Sequence, residues 1–106
     1  MRKIERIGEK KVMLDTSNDE MLYDSKTARA YHGGNSPTRG LDLYVHVCKD
    51  QTPVFYLYHW TQWQGERSFI ELMSKDQAAV FAEENLEDLE EGRATDLGLI
   101  DAGAIE

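Results

Sequence analysis

Three histidines, His32, His46 and His59, and a single cysteine, Cys48, are the side chains of this chain best suited to acid–base, metal or nucleophilic chemistry. No two histidines have the spacing of a helical metal pair such as His-x-x-x-His. A zinc site built on Cys48 would need ligands that meet only in three dimensions. Cys48 falls mid-strand, without a glycine-rich elbow or a basic residue placed to lower its pKa. Gly33-Gly34-Asn35-Ser36 offers backbone amides to an anion but lacks the phosphate-loop pattern, and reads as a flexible turn. One pair remains. With Asp50-Gln51 at the centre of a hairpin, His59 lies opposite Asp42, and a carboxylate beside an imidazole is an acid–base element. The same two groups serve more often as a partly buried structural pair. His46 falls beside Phe55 and reads as a packed sheet residue. The pattern assigns no catalytic residue, cofactor or metal outright.

Two other groups are suited to binding rather than reaction. Phe55, Tyr56, Tyr58, Trp60 and Trp63 form the densest aromatic set. Exposed on one face, such rings stack on sugars or unpaired bases; packed across strands, they are core. Trp63 stands apart because it lies in a polar loop, where an indole either folds back onto the core or is offered to a partner. The second group is acidic: Glu83, Glu84, Glu87, Asp88, Glu90 and Glu91 fall in one arc of an expected helix. Glu83 with Glu87, Glu84 with Asp88 and Glu87 with Glu91 are like charges at four-residue spacing, each pair costing roughly 0.2–0.5 kcal/mol. Such a face is either solvated or binds a basic protein, in its sharpest form by mimicking a phosphate array.

The elements that must position these residues read as follows. Ile4 and Ile7 face Val12 and Leu14 across Gly8-Glu9-Lys10, a weak hairpin. Residues 16–20 are turn formers, Met21-Leu22-Tyr23 a short strand, and Asp24-Ser25 a turn. Residues 27–32 read as a strand or a single helical turn, and 33–40 as the clearest loop. Next comes the best hairpin. On the stated register Val47 meets Val54, Val45 meets Tyr56, Leu43 meets Tyr58 and Leu41 meets Trp60, leaving Tyr44, His46, Cys48, Phe55, Leu57 and His59 on the other face. Both faces are apolar enough to bury. Residues 67–73 return as a third strand. Ser74, with Gln77 three residues on, is a capping box for a helix over about 75–91, whose core stripe is Ala78, Phe81, Ala82, Leu86 and Leu89 and whose stop is Gly92. The predicted architecture is α+β: a mostly antiparallel sheet of about five to six short strands packed by one C-terminal helix. The domain is expected over 1–91, with 92–106 a mobile tail.

With 106 residues, a single modest core is expected. Acidic residues outnumber basic ones by 20 to 12, a net charge of −8 that argues against direct nucleic-acid binding and permits a basic partner. Residues 1–12 run the other way: Arg2, Lys3, Arg6, Lys10 and Lys11 against Glu5 and Glu9 give +3. One cysteine excludes an internal disulfide, and neither a signal core nor a membrane-length apolar window is present, so the expected setting is cytoplasmic.

Leu22-Tyr23-Asp24-Ser25-Lys26-Thr27-Ala28, Leu43-Tyr44, Phe55-Tyr56-Leu57-Tyr58 and Ile70-Glu71-Leu72-Met73-Ser74-Lys75-Asp76-Gln77-Ala78 together resemble a group of small uncharacterised bacterial proteins of phage or mobile-element type. These carry a Tyr-Asp-Thr/Ser-x-x-Ala motif, aromatic strands and a C-terminal helix. The likeness spans roughly 21–89. It departs at the central turn, where that group often has glycine and this chain has Lys49-Asp50-Gln51-Thr52. The resemblance implies the order of elements and a bacterial or archaeal intracellular origin, and assigns no site residues.

The leading functional expectation is therefore a small non-enzymatic protein-interaction factor. Its surface is Glu83, Glu84, Glu87, Asp88 and Glu91, with Trp63, and its partner is a basic protein. The alternatives are a small-ligand or carbohydrate module using Tyr56, Tyr58, Trp60 and Trp63, and an enzyme using Asp42 and His59. A homodimer through an unpaired sheet edge is compatible with each.

Overall fold

The computed structural model describes residues 1–27, 38–101 and 103. The region expected to hold His32 and the glycine loop at 33–36 lies outside them. Strands β1 (Arg2–Ile7) and β2 (Lys10–Asp15) form a two-stranded antiparallel hairpin. Strands β3 (Glu20–Tyr23), β4 (Arg39–Val47), β5 (Pro53–Thr61) and β6 (Phe69–Met73) form a four-stranded antiparallel sheet in that order. Helix α1 (Lys75–Glu84), a 3₁₀ turn (Leu86–Asp88) and helix α2 (Glu91–Asp96) follow. The expected α+β class with antiparallel pairing is the observed one, but the strands divide into two sheets rather than one.

Pleat parity explains the layering, because alternate side chains of a strand face opposite ways. Leu43, Val45, Phe55 and Leu57 point to one side and pack with Ala78, Ala82, Leu89, Ala94, Leu99 and Ile100. Tyr44, Val54, Tyr56 and Ile70 point to the other and pack with Val12 and Leu14 of the hairpin. The central sheet is thus sandwiched between the β1–β2 hairpin and the helical segment, and both its faces are buried.

The β4–β5 register differs from the expected one by a residue. Val45 pairs with Phe55, Leu43 with Leu57, Leu41 with His59 and Asp42 with Tyr58. The cause is the turn. Gln51 N–H donates to the Cys48 carbonyl and Cys48 N–H to the Thr52 carbonyl, so the loop is Lys49-Asp50-Gln51, with Gln51 left-handed at φ 70°. Asp50 stabilises it by accepting from Thr52 N–H at 3.0 Å. A three-residue loop shifts every pairing by one, and a one-residue shift moves each side chain of β5 to the other face relative to β4.

The expected helix over 75–91 is broken. Its start is as anticipated: Ser74 Oγ accepts from Gln77 N–H and Gln77 Oε1 from Ser74 N–H. Its end is not, because the Asn85 side-chain amide donates to the Phe81 carbonyl at 2.8 Å and closes α1 there. The chain then tightens into the 3₁₀ turn, which leaves Leu86 exposed instead of in the core stripe and delivers Leu89 to a bridge with Tyr23. Glu90 N–H donates to the Leu22 carbonyl. This contact covers the outer edge of β3, so β6 is the edge of the four-stranded sheet with no strand beside it among the described residues.

Gly92 lies inside α2 and does not stop a helix. The stop is Gly98, left-handed at φ 78°, whose N–H donates to the Thr95 carbonyl while Leu99 N–H reaches the Ala94 carbonyl. These two bonds make a Schellman motif. They turn Leu99 and Ile100 back into the core, so the expected boundary at 91 cuts through packed structure.

Candidate interaction surface

Residues 75–101 carry nine acids, Asp76, Glu83, Glu84, Glu87, Asp88, Glu90, Glu91, Asp96 and Asp101, against Lys75 and Arg93, a net of −7. The segment meets the sheet through small residues, Ala78, Ala82 and Ala94, all fully buried. That close packing leaves Glu83, Glu84, Glu87, Glu90 and Glu91 exposed. Arg93 is not available to offset them, because its Nε donates to both carboxylate oxygens of Glu20 at 2.8 and 3.0 Å; the Glu20 carboxylate holds the guanidinium above its ordinary pKa. The acids do not form the single helical face expected. Glu83 and Glu84 sit on α1, Glu87 and Asp88 on the 3₁₀ turn, and Glu91 at the start of α2. They are spread along a bent segment, and two apolar side chains lie exposed within the same segment, Val80 at 54% and Leu86 at 39%.

Trp63 belongs elsewhere. It is exposed at 53%, its indole N–H donates to Thr38 Oγ1 at 2.8 Å, and the Arg39 guanidinium lies 5.4 Å from its ring centroid. Its partners are thus residues at the start of β4, and nothing brings it to the acidic segment. The surface expected from sequence is two separate features.

The proposed aromatic platform does not form. Tyr56 and Trp60 are buried on the hairpin side of the sheet, with Tyr44 stacked on Tyr56 at 5.3 Å; Trp63 alone of the four named rings is exposed.

Asp42 and His59 do not meet. The observed register sends them to opposite faces of the sheet. His59 Nε2 contacts Glu71 Oε1 at 2.8 Å and its ring stacks on Phe69 at 4.1 Å. Asp42, only 3% exposed, has a structural task. Its Oδ1 accepts from Ser25 N–H at 2.9 Å, Ser25 Oγ–H at 2.7 Å and Trp60 Nε1–H at 3.3 Å. Gly40 permits this cluster, because a Cβ there would overlap Ser25 Oγ and come within 2.8 Å of the Trp60 ring.

The turn after β2 builds a second polar cluster, which sequence spacing does not reveal. Asp19 Oδ1 lies 2.7 Å from His46 Nδ1, and Asp19 Oδ2 accepts from Tyr56 O–H at 2.7 Å and Asp15 N–H at 2.8 Å. His46 therefore pairs with a carboxylate and not only with packed sheet neighbours. The one available signal was the run of turn formers at 16–20, which does not say which strand it folds against.

The buried tyrosines of this side imply a pH dependence. Burial, reinforced by the Asp42 and Asp24 charges, pushes the Tyr44 phenol up to about 12. Burial and then its hydrogen bond to Asp19 push Tyr56 further in the same direction. Folding thus favours the neutral phenols. The Tyr44 contribution is complete below the ordinary tyrosine value of 10.0 and is lost as pH rises from there through about 12, while that of Tyr56 persists to higher pH. We expect tyrosinate absorbance for these two groups to appear only together with loss of near-ultraviolet circular dichroism. All tyrosines ionising near pH 10 in a still-folded protein would contradict this.

Searches against protein-family models, curated proteins and solved structures find no match to this chain. No described helix is long and apolar enough to cross a membrane.

Proposed function

We propose that this chain is a non-enzymatic interaction module that holds a basic, partly apolar protein segment against its helical layer. The observation that carries the reading is the combination on that layer: exposed Glu83, Glu84 and Glu87 beside exposed Val80 and Leu86, with Arg93 already engaged by Glu20. Carboxylates steer and orient a cationic partner, and exposed apolar side chains add the desolvation that holds it. A direct nucleic-acid partner is disfavoured by the same charge. The cytoplasmic setting is part of the proposal, supported by Cys48 being an unpaired thiol. Self-association, in this reading, uses β6, the open sheet edge.

A defined probe tests it: a synthetic Lys/Arg-rich amphipathic peptide, followed by fluorescence anisotropy at physiological salt. Reversing Glu83, Glu84 and Glu87 to lysine should weaken binding at least about tenfold, and Val80→Ser should weaken it with no change in charge. Reversing Glu5, Glu9 and Glu66 changes net charge equally and should leave most of the affinity. Equal losses in the two triple variants would mean diffuse attraction to an acidic protein and would sink the reading.

A further inference from the structure

We infer that the groove between β2 and the β4–β5 turn is a binding site for a small phosphate monoester dianion. The groove is open to solvent and holds about 490 Å³; Val12 and Met13 form its apolar lining, and Lys10, Lys11, Lys49, His46, Cys48 and Asp50 its polar one. That volume suits a ligand of sugar-phosphate size. Its charge is opposite to that of the whole protein. Lys10 is paired with Asp50, while Lys11 and Lys49 have no ion-pair partner among the described residues. The lining lysines and Asp50 leave an excess of two positive charges; the Asp19 carboxylate behind His46 reduces it to one, and protonation of the imidazole restores the two that match a dianion. The hairpin that supplies Lys10 and Lys11 is the basic end of the chain, set by the fold on the far side of the sheet from the acidic segment.

His46 makes this more than a group of surface lysines. Asp19, whose side chain is 8% exposed, is fixed by Tyr56 and by the Asp15 amide, and it holds His46 Nδ1 at 2.7 Å. A carboxylate at Nδ1 keeps a proton there, so Nε2 is the ring atom left for a ligand, and it has no hydrogen-bond partner among the described residues. The dianion has no proton to give, so it is the protonated ring, donating from Nε2, that hydrogen-bonds an ionised phosphate oxygen. Ammonium groups supply the attraction and the anchored imidazole supplies direction. The site is independent of the helical layer, so its failure would leave the interaction reading untouched.

The test is a nuclear magnetic resonance titration of the full chain at constant ionic strength. The probes are inorganic phosphate and ribose 5-phosphate, with sodium sulfate as the comparison anion. Saturable shifts of the His46 imidazole nitrogens and of amides 10–13 and 48–50 are expected with ribose 5-phosphate or with both phosphates. Equal binding of the two would identify the phosphoryl group as the whole determinant, tighter binding of the ester would identify the sugar as part of it, and a response to inorganic phosphate without one to the ester would contradict a monoester site. The Lys11→Glu/Lys49→Glu variant should weaken binding at least about tenfold. His46→Gln, which retains a polar side chain, should weaken it while leaving the rest of the spectrum in place. Linear, unsaturating shifts, a response no stronger than that to sulfate, or unchanged affinity in both variants would overturn the assignment.

Discussion

Truncation after Glu91 should cost the protein about 3–6 kcal/mol, a large share of a total stability in the usual range of about 5–15 kcal/mol. The deleted residues include Leu99 and Ile100, which are 3% and 5% exposed, and Ala94, which is fully buried. Burial of each of the two large side chains contributes about 1.5–3 kcal/mol. They reach the core because Gly98 reverses the chain after α2, so the loss is of packing and not merely of a solvated end. The Arg93–Glu20 pair is lost too, but it is exposed and adds little. Urea denaturation of the two chains measures the difference. Leu99→Ala in the full chain should account for about 2–5 kcal/mol alone. An unchanged midpoint for the truncated chain would show that the segment is dispensable.

The second large effect is expected at Asp42. Asp42→Ala should destabilise the fold by about 2–5 kcal/mol, because it removes the acceptor for Ser25 N–H and Ser25 Oγ–H in a site excluded from water. Trp60 Nε1–H is less affected, since Ser25 Oγ accepts from it at 3.0 Å as well. Asp42→Asn keeps an oxygen in place and should cost less, about 1–2 kcal/mol. Trp60→Phe removes one donor from the same cluster. A double-mutant cycle with Asp42→Ala should therefore give a non-additive coupling of about 0.5 kcal/mol or more. Additive losses would mean that Asp42 does not act through this cluster. Ordinary stability in Asp42→Ala would mean that the carboxylate is held for another reason.

Both predictions fall where reading along the chain fails. Asp42 and His59 were brought opposite each other by placing Asp50-Gln51 at the turn centre. The real loop has three residues, and its left-handed position is occupied by glutamine, which gives no outward sign of that conformation, whereas glycine or asparagine would. A single residue of register decided whether a histidine or a tryptophan shared a face with Asp42. The acidic surface shows the same limit. The helix start was legible because Ser74 and Gln77 act on backbone groups three residues apart. The helix end was not, because Asn85 closes it by reaching back to Phe81, and Asn85 also fits a helix interior at modest cost. The sequence leaves Trp63 either folded back onto the core or offered to a partner; the structure exposes it, beside Thr38 and Arg39, which lie 25 and 24 positions away in sequence where no local rule links them.

Local chemistry alone determined the α+β class, the first hairpin, the short third strand, the capping box and the uneven distribution of charge. Each of these depends on period-two or period-3.6 patterning or on residues a few positions apart, where geometry follows from covalent structure. Tertiary structure alone decided which faces the aromatics occupy, that residues 94–100 belong to the core, and that Asp19 meets His46 and Tyr56. It also decided that the basic hairpin and the acidic helical segment lie on opposite sides of one sheet. These outcomes depend on long-range pairings selected by the burial of whole faces, and that burial is a property of the assembled layers rather than of any stretch of chain.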